Sequence, residues 1–114
     1  MPSGRGSGDL GLAQPIANVP CTGGYLTLIS SAINPDSYQS EVQNLLNTYP
    51  GSSYLKTGAS CSALTQLSDQ GTDIYAVYLG PFSSASQACA NRPFESANVR
   101  AMQNLSPSDA AVDC

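Results

Sequence analysis

Histidine and tryptophan are absent from this sequence of 114 residues, and charged residues make up only 11% of it. Without histidine the chain cannot form a Ser-His-Asp or Cys-His arrangement, or the common catalytic metal sites, from its own residues. A glycosidase with two carboxylates stays possible, since eight acidic residues are present. The nearest pair in sequence, Asp69 and Asp73, is interpreted as ordinary turn residues. The composition therefore predicts a protein that is not an enzyme and that needs no cofactor or metal.

Positive charge is also scarce. Four cationic residues oppose the eight acidic ones, which gives a formal net charge of -4. No basic stripe is available to neutralise a phosphate backbone, so nucleic acid is not expected as a partner. No apolar run approaches the roughly 20 residues that span a bilayer, so membrane insertion by this chain is not expected either. Arg92 and Arg100 could each pair with Glu95 at the surface or hold a ligand carboxylate.

The cysteine pattern indicates where the protein works. Cys21, Cys61, Cys89 and Cys114 are spread along the chain with no C-x-x-C pair, which predicts two structural disulfides with three possible pairings. Four free thiols are the alternative, but Cys114 is the last residue and would be buried only if it were tethered. Disulfides persist in oxidising compartments, so we expect an extracytoplasmic location, in the periplasm or at the cell surface. No signal peptide or anchor is recognisable, and we expect the chain to belong to a larger membrane-anchored protein.

The length allows one domain with one hydrophobic core. Residues 1–20 are interpreted as a cloning scar, over Met1 to Gly8, followed by a flexible tether that contains Pro15 and Pro20 and can lie against the domain. The domain itself is predicted to span residues 21–114.

Local patterns predict four strands and two helices. The strands are expected over residues 25–29, 53–60, 74–79 and 98–105, with Leu26 and Leu28 of the first strand facing the core. One helix begins at Asn34-Pro35 and ends at Pro50-Gly51, and the other begins at the capping residue Ser84. With right-handed crossovers this order predicts a ferredoxin-like (RNP-like) α+β sandwich, βαββαβ, in which two helices cover one face of a four-stranded antiparallel sheet and the other face is open.

Residues 74–82, Ile-Tyr-Ala-Val-Tyr-Leu-Gly-Pro-Phe, are followed by a helix start rich in serine and alanine. This segment resembles the second half of a SPOR (sporulation-related repeat) domain, in which the third strand ends in a Gly-Pro-Phe turn. The four cysteines are similar to those of SPOR-like ectodomains in actinobacterial envelope proteins and receptor-type serine/threonine kinases. The resemblance implies the same βαββαβ fold and the binding of peptidoglycan glycan strands.

The SPOR-like fold also implies a disulfide pairing and a site. The disulfides would join Cys21 to Cys61 and Cys89 to Cys114. Glycan would bind on the open sheet face, where tyrosines can stack on sugar rings. That face would comprise Tyr25, Thr27, Ile29, Tyr54, Lys56, Ala76 and Tyr78.

Two alternatives remain beside the glycan site. The tyrosines could simply follow from β propensity or pack beneath the N-terminal segment. The domain could then be a sensor or protein-interaction ectodomain of a membrane-anchored signalling protein, with an envelope protein as the alternative partner to glycan. An accessible groove at Tyr25 and Tyr78 favours glycan binding, and a face covered by the N-terminal segment favours the ectodomain.

Overall fold

The strands and helices alternate along the chain much as the apolar pattern predicts. The computed structural model describes residues 8–19, 21–59, 61 and 63–114. Within these residues the protein is α+β, with a five-stranded antiparallel sheet, three α-helices and two disulfides. The elements are β1 (Tyr25–Ala32), α1 (Tyr38–Thr48), β2 (Ser53–Lys56), β3 (Tyr75–Phe82), α2 (Ala85–Ala90), β4 (Asn98–Ala101), α3 (Pro107–Ala110) and β5 (Ala111–Val112).

The sheet has the strand order β2-β3-β1-β4-β5, and the expectation of four strands is wrong. The last predicted strand, over residues 98–105, ends at Ala101. Ser106 then caps α3 by accepting a hydrogen bond from the backbone N–H of Asp109. This single helical turn returns the chain to the sheet, where Val112 pairs with Val99 at the edge.

Other element boundaries also differ from the sequence prediction, and β1 runs to Ala32 instead of ending at Ile29. α1 begins at Tyr38, because Asn34 accepts hydrogen bonds from Asp36 and Ser37 and so forms a turn before the helix. β2 ends at Lys56 and gives way to a 3₁₀ turn, Thr57–Ala59, while residue 60 of the predicted strand lies outside the described residues.

β3 also runs further than predicted. It continues through the Gly80-Pro81 pair, so that Phe82 lies opposite Tyr25 of β1. Gly80 has a φ of 114°, and a Cβ at this position would lie 2.9 Å from the carbonyl oxygen of Tyr25. Glycine at this position therefore lets the two strands stay paired where a side chain would separate them.

Buried side chains lie on both faces of the sheet. On the helix side, α1 contributes to a cluster made of Ile29, Ala32, Val42, Leu46, Tyr54, Tyr75 and Val77. The opposite side, here called the second face, carries a cluster made of Val19, Leu26, Leu55, Cys61, Ala63, Leu64, Ala76, Tyr78, Met102 and Ala110. The expected open face is therefore wrong, because residues before β1, between β2 and β3 and after β4 cover it.

The disulfides join Cys21 to Cys61 and Cys89 to Cys114, with Cα–Cα distances of 5.5 and 5.6 Å. Both predicted pairings are confirmed. Bonds of this kind indicate an oxidising, extracytoplasmic environment. Among the described residues, no helix is both long enough and apolar enough to cross a membrane.

Candidate functional site

Two of the seven residues expected to bind glycan lie on the second face, as predicted, but they are buried there. Ala76 and Tyr78 of β3 are each only 2% exposed. They pack with Cys61, Ala63 and Leu64 from the loop between β2 and β3. Burial raises the pKa of the Tyr78 phenol to about 12, against the smaller opposing effect of a hydrogen bond with Ser53.

Three other predicted residues, Thr27, Ile29 and Tyr54, face the helices instead. The Thr27 hydroxyl donates a hydrogen bond of 2.7 Å to the carbonyl oxygen of Ala88 in α2. Ile29 and Tyr54 belong to the cluster around Val42 of α1. Their expected orientation is wrong because β1 and β2 have apolar residues on both faces, so alternation alone does not identify the helix side.

The last two predicted residues lie apart from each other. Tyr25 is half-buried where β1 meets Phe82 and Ala101, and Lys56 forms an ion pair of 3.3 Å with Asp73 at the far end of β2. The structure therefore does not bring the seven predicted side chains together on one exposed surface.

The segment before β1 packs along the helix side of the domain. The Tyr75 hydroxyl donates to the carbonyl oxygen of Gly8, and the backbone N–H of Leu10 donates to the Tyr54 hydroxyl. Further along, the backbone N–H of Ala17 donates to the carbonyl oxygen of Tyr54. A boundary near residue 21 thus leaves out residues that pack against both clusters.

A cleft of about 160 Å³ lies on the second face where β4 begins. β4 pairs only with Tyr25 to Leu28 of β1, although β1 continues to Ala32, so the second half of β1 has no neighbour on that edge among the described residues. The apolar residues of the lining are Leu28, Ile29, Leu64, Ile74 and Ala76. Its polar part consists of Ser30, Ser31, Thr57, Thr65, Asn98 and Arg100.

Arg100 is the only cation among the described residues that line the cleft. It is half-buried, its Nη1 donates to the carbonyl oxygen of Ala63 over 3.0 Å, and its buried Nε has no hydrogen-bond partner in the part of the chain that the structure describes. Burial lowers the pKa of its guanidinium from the ordinary value. None of the described lining residues is acidic, so Arg100 meets no carboxylate there.

Arg100 does not form the ion pair with Glu95 that the sequence suggested. Arg92 contacts Glu95 through its backbone and not through its carboxylate. The Arg92 guanidinium donates to the carbonyl oxygens of Cys89 and Glu95.

Sequence reasoning did not predict the cleft. The one signal for the cleft in the sequence was Arg100, a charged residue between Val99 and Ala101 in the short strand β4.

No group of three or more His, Cys, Asp or Glu residues in the described part of the chain is placed to hold a metal ion. Comparison of the chain with protein-family models, curated proteins and solved structures finds no match. The SPOR resemblance therefore stays a prediction, and the functional argument depends on the geometry of this chain.

Proposed function

We propose that this chain is a non-enzymatic recognition domain of SPOR-like type that works outside the cytoplasm as a sensor or protein-interaction ectodomain. Its parent would be a membrane-anchored signalling protein, such as a receptor-type serine/threonine kinase. The two disulfides support the extracytoplasmic setting. The absence of histidine from the sequence supports a binding role over a hydrolytic one.

The cover over the second face is the observation that carries this proposal. Tyrosines hold sugar rings through exposed aromatic faces, and Tyr78 has almost none of its surface exposed. Val19 and Leu64 belong to the buried cluster that surrounds it. Glycan binding on this face would require those segments to leave the core. Peptidoglycan binding is therefore the less favoured of the two functions that the sequence predicts.

Strand order supports the SPOR-like, ferredoxin-like part of the proposal. In the first βαβ unit, β1 and β2 are separated by β3, and in the second, β3 and β4 are separated by β1. Such split βαβ units, with a helix after β1 and another after β3, are what a ferredoxin-like sandwich requires. β5 is then an addition at the β4 edge.

The carboxylates give no support to a glycosidase. Asp73 forms an ion pair with Lys56, and Asp69 lies in an exposed turn. Neither Asp69 nor Asp73 lines the cleft beside Arg100. A glycosidase needs two carboxyl groups that flank one bond of the substrate, which these positions do not provide.

The test is a pull-down of the oxidised domain with purified peptidoglycan sacculi, either untreated or stripped of peptide stems by an amidase. We expect neither preparation to retain the domain. The variant Tyr25→Ala is the appropriate probe of the sheet, because Tyr25 is half-buried and its loss should leave the core intact. Retention that rises after amidase treatment and falls in Tyr25→Ala would overturn the proposal in favour of glycan binding.

A further inference from the structure

We infer that the cleft beside Arg100 is the ligand site of this domain and that it binds a small carboxylate. The inference rests on the proposed recognition function and deepens it by assigning a place and a ligand class. It depends on three observations on the second face: an arginine without a carboxylate partner, a cleft of limited size, and a strand edge that β4 leaves unpaired.

The first observation concerns charge. The chain has a net charge of -4, yet Arg100 lines a cleft in which none of the described residues is acidic. Among the described residues its guanidinium makes one hydrogen bond, from Nη1 to the carbonyl oxygen of Ala63. The buried Nε has no partner among these residues, and leaving a charged donor unsatisfied in this way is costly. A carboxylate in the cleft can accept charge-assisted hydrogen bonds from the guanidinium nitrogens on the accessible side of Arg100.

The second observation concerns size. The cleft measures about 160 Å³, and an engineered apolar cavity of about 150 Å³ holds one benzene molecule. The space beside Arg100 therefore admits a group of about six non-hydrogen atoms, by the same comparison. A propionate ion or the last residue of a peptide fills this space, whereas most of a chain of sugar rings would lie outside it. Leu28, Leu64 and Ala76 would contact the short apolar part of such a ligand.

The third observation concerns polar groups around the cleft. Ser30, Ser31, Thr57, Thr65 and Asn98 are the uncharged polar residues of its lining. Ser30 and Ser31 lie on the half of β1 that pairs with β3 on one side and, among the described residues, has no strand on the β4 side. An extended peptide could align with this strand edge while its terminal carboxylate meets Arg100. A free small acid would use Arg100 in the same way without the strand edge.

The experiment titrates the oxidised chain of 114 residues with three probes at about pH 7, where carboxylates are ionised. The probes are propionate, N-acetylalanine and the neutral N-acetylalaninamide, and binding is followed by nitrogen–proton correlation NMR. We expect the two acids to bind with dissociation constants of about millimolar. The amide should bind about tenfold more weakly or not at all, because the charge-assisted hydrogen bonds to Arg100 are lost.

Variants assign the effect to the cleft. Arg100→Gln should weaken binding of the acids about tenfold. The matched control is Arg92→Gln, which removes a cation that donates to the backbone oxygens of Cys89 and Glu95, outside the cleft. This control should bind the acids as tightly as the unmodified chain does. If Arg100→Gln fails to fold, Arg100→Lys keeps the charge and should still prefer acid to amide. Its affinity should be lower, since lysine cannot bind a carboxylate in the bidentate way.

Equal binding of N-acetylalanine and its amide, or the absence of binding by either acid, would overturn the inference. Binding that is unchanged in Arg100→Gln would do the same. If propionate and N-acetylalanine bind equally, the ligand is a free small acid. If N-acetylalanine binds more tightly and shifts the signals of Ser30 and Ser31, the ligand is a peptide terminus.

The sacculi pull-down separates this inference from the proposed function. Retention that depends on Tyr25 and persists in Arg100→Gln would overturn the proposed function alone. Failure of the acids to bind, without retention on sacculi, would overturn the carboxylate site and leave the proposed function intact.

Discussion

The burial of Tyr78 predicts a defined loss of stability at alkaline pH. Its phenol has an ordinary pKa of 10.0 in the unfolded chain and a pKa of about 12 in the folded protein, because the covered second face excludes water from it. Below pH 10 the phenol is protonated in both states and the difference has no effect. As the pH rises from 10 to 12, the unfolded state loses this proton first, so the free energy of unfolding falls.

The size of the loss follows from the shift. Two pKa units correspond to about 3 kcal/mol, of which about half, or about 1.4 kcal/mol, is lost by about pH 11. Tyr78→Phe has no phenol to ionise and should lack this loss. Tyr75, whose pKa is also raised, chiefly by burial, is present in both proteins, so its contribution cancels in the comparison.

Urea unfolding of both proteins at about pH 9 and about pH 11, followed by circular dichroism, measures the difference. At the lower pH, Tyr78→Phe should be about 1 kcal/mol less stable because it loses the hydrogen bond with Ser53. At the higher pH the gap should close. If both proteins lose the same stability between the two pH values, Tyr78 is not shielded, and the argument against glycan binding on the second face fails.

Three further substitutions test other parts of the fold by urea unfolding. Thr27→Val should lower the free energy of unfolding by about 1 to 2 kcal/mol, because the carbonyl oxygen of Ala88 loses a buried donor; Thr27→Ser should retain most of it. Ser84→Ala should cost about 1 kcal/mol through loss of the cap of α2, and no change would contradict that role. Lys56→Ala should cost about 1 kcal/mol or less, because its ion pair with Asp73 is partly exposed to water; a larger loss would mean that the pair is shielded from water.

Local signals in the sequence predicted the elements well where one short motif decides them. Ser84 caps α2 as predicted, and α1 ends just before Pro50-Gly51, where Gly51 takes a φ of 88°. The pairing of the cysteines, implied by the SPOR-like fold, is also confirmed. The helix ends depend on backbone constraints that act within a few residues. The cysteine pairing depends on the strand and helix order that the SPOR-like fold implies.

Features that depend on distant parts of the chain were not predictable in this way. In β1, Leu26 and Leu28 pack on the second face and Ile29 on the helix side, as alternation requires, but after the register shift between Leu28 and Ser30 Ala32 also packs on the helix side, three residues from Ile29. Such an irregularity changes which side chains share a face, and no local pattern marks it. The cleft depends on where β4 begins and on how the loop near Leu64 returns over the sheet, so only Arg100 pointed to it.

The loop that covers Tyr78 also forms one wall of the cleft, which links the disulfides to ligand binding. Cys61 is buried beside Ala63, whose carbonyl oxygen holds Arg100, and its bond to Cys21 ties this loop to the chain before β1. The Cys89–Cys114 bond joins α2 to the last residue, away from the cleft lining. By chain entropy alone, removing either bond costs a similar amount, about 3.5 to 4 kcal/mol. If the cleft binds carboxylates, replacing Cys21 and Cys61 with serine should therefore weaken N-acetylalanine binding in the folded domain more than replacing Cys89 and Cys114. Equal losses in the two double variants would mean that global stability, and not the position of this loop, determines the affinity.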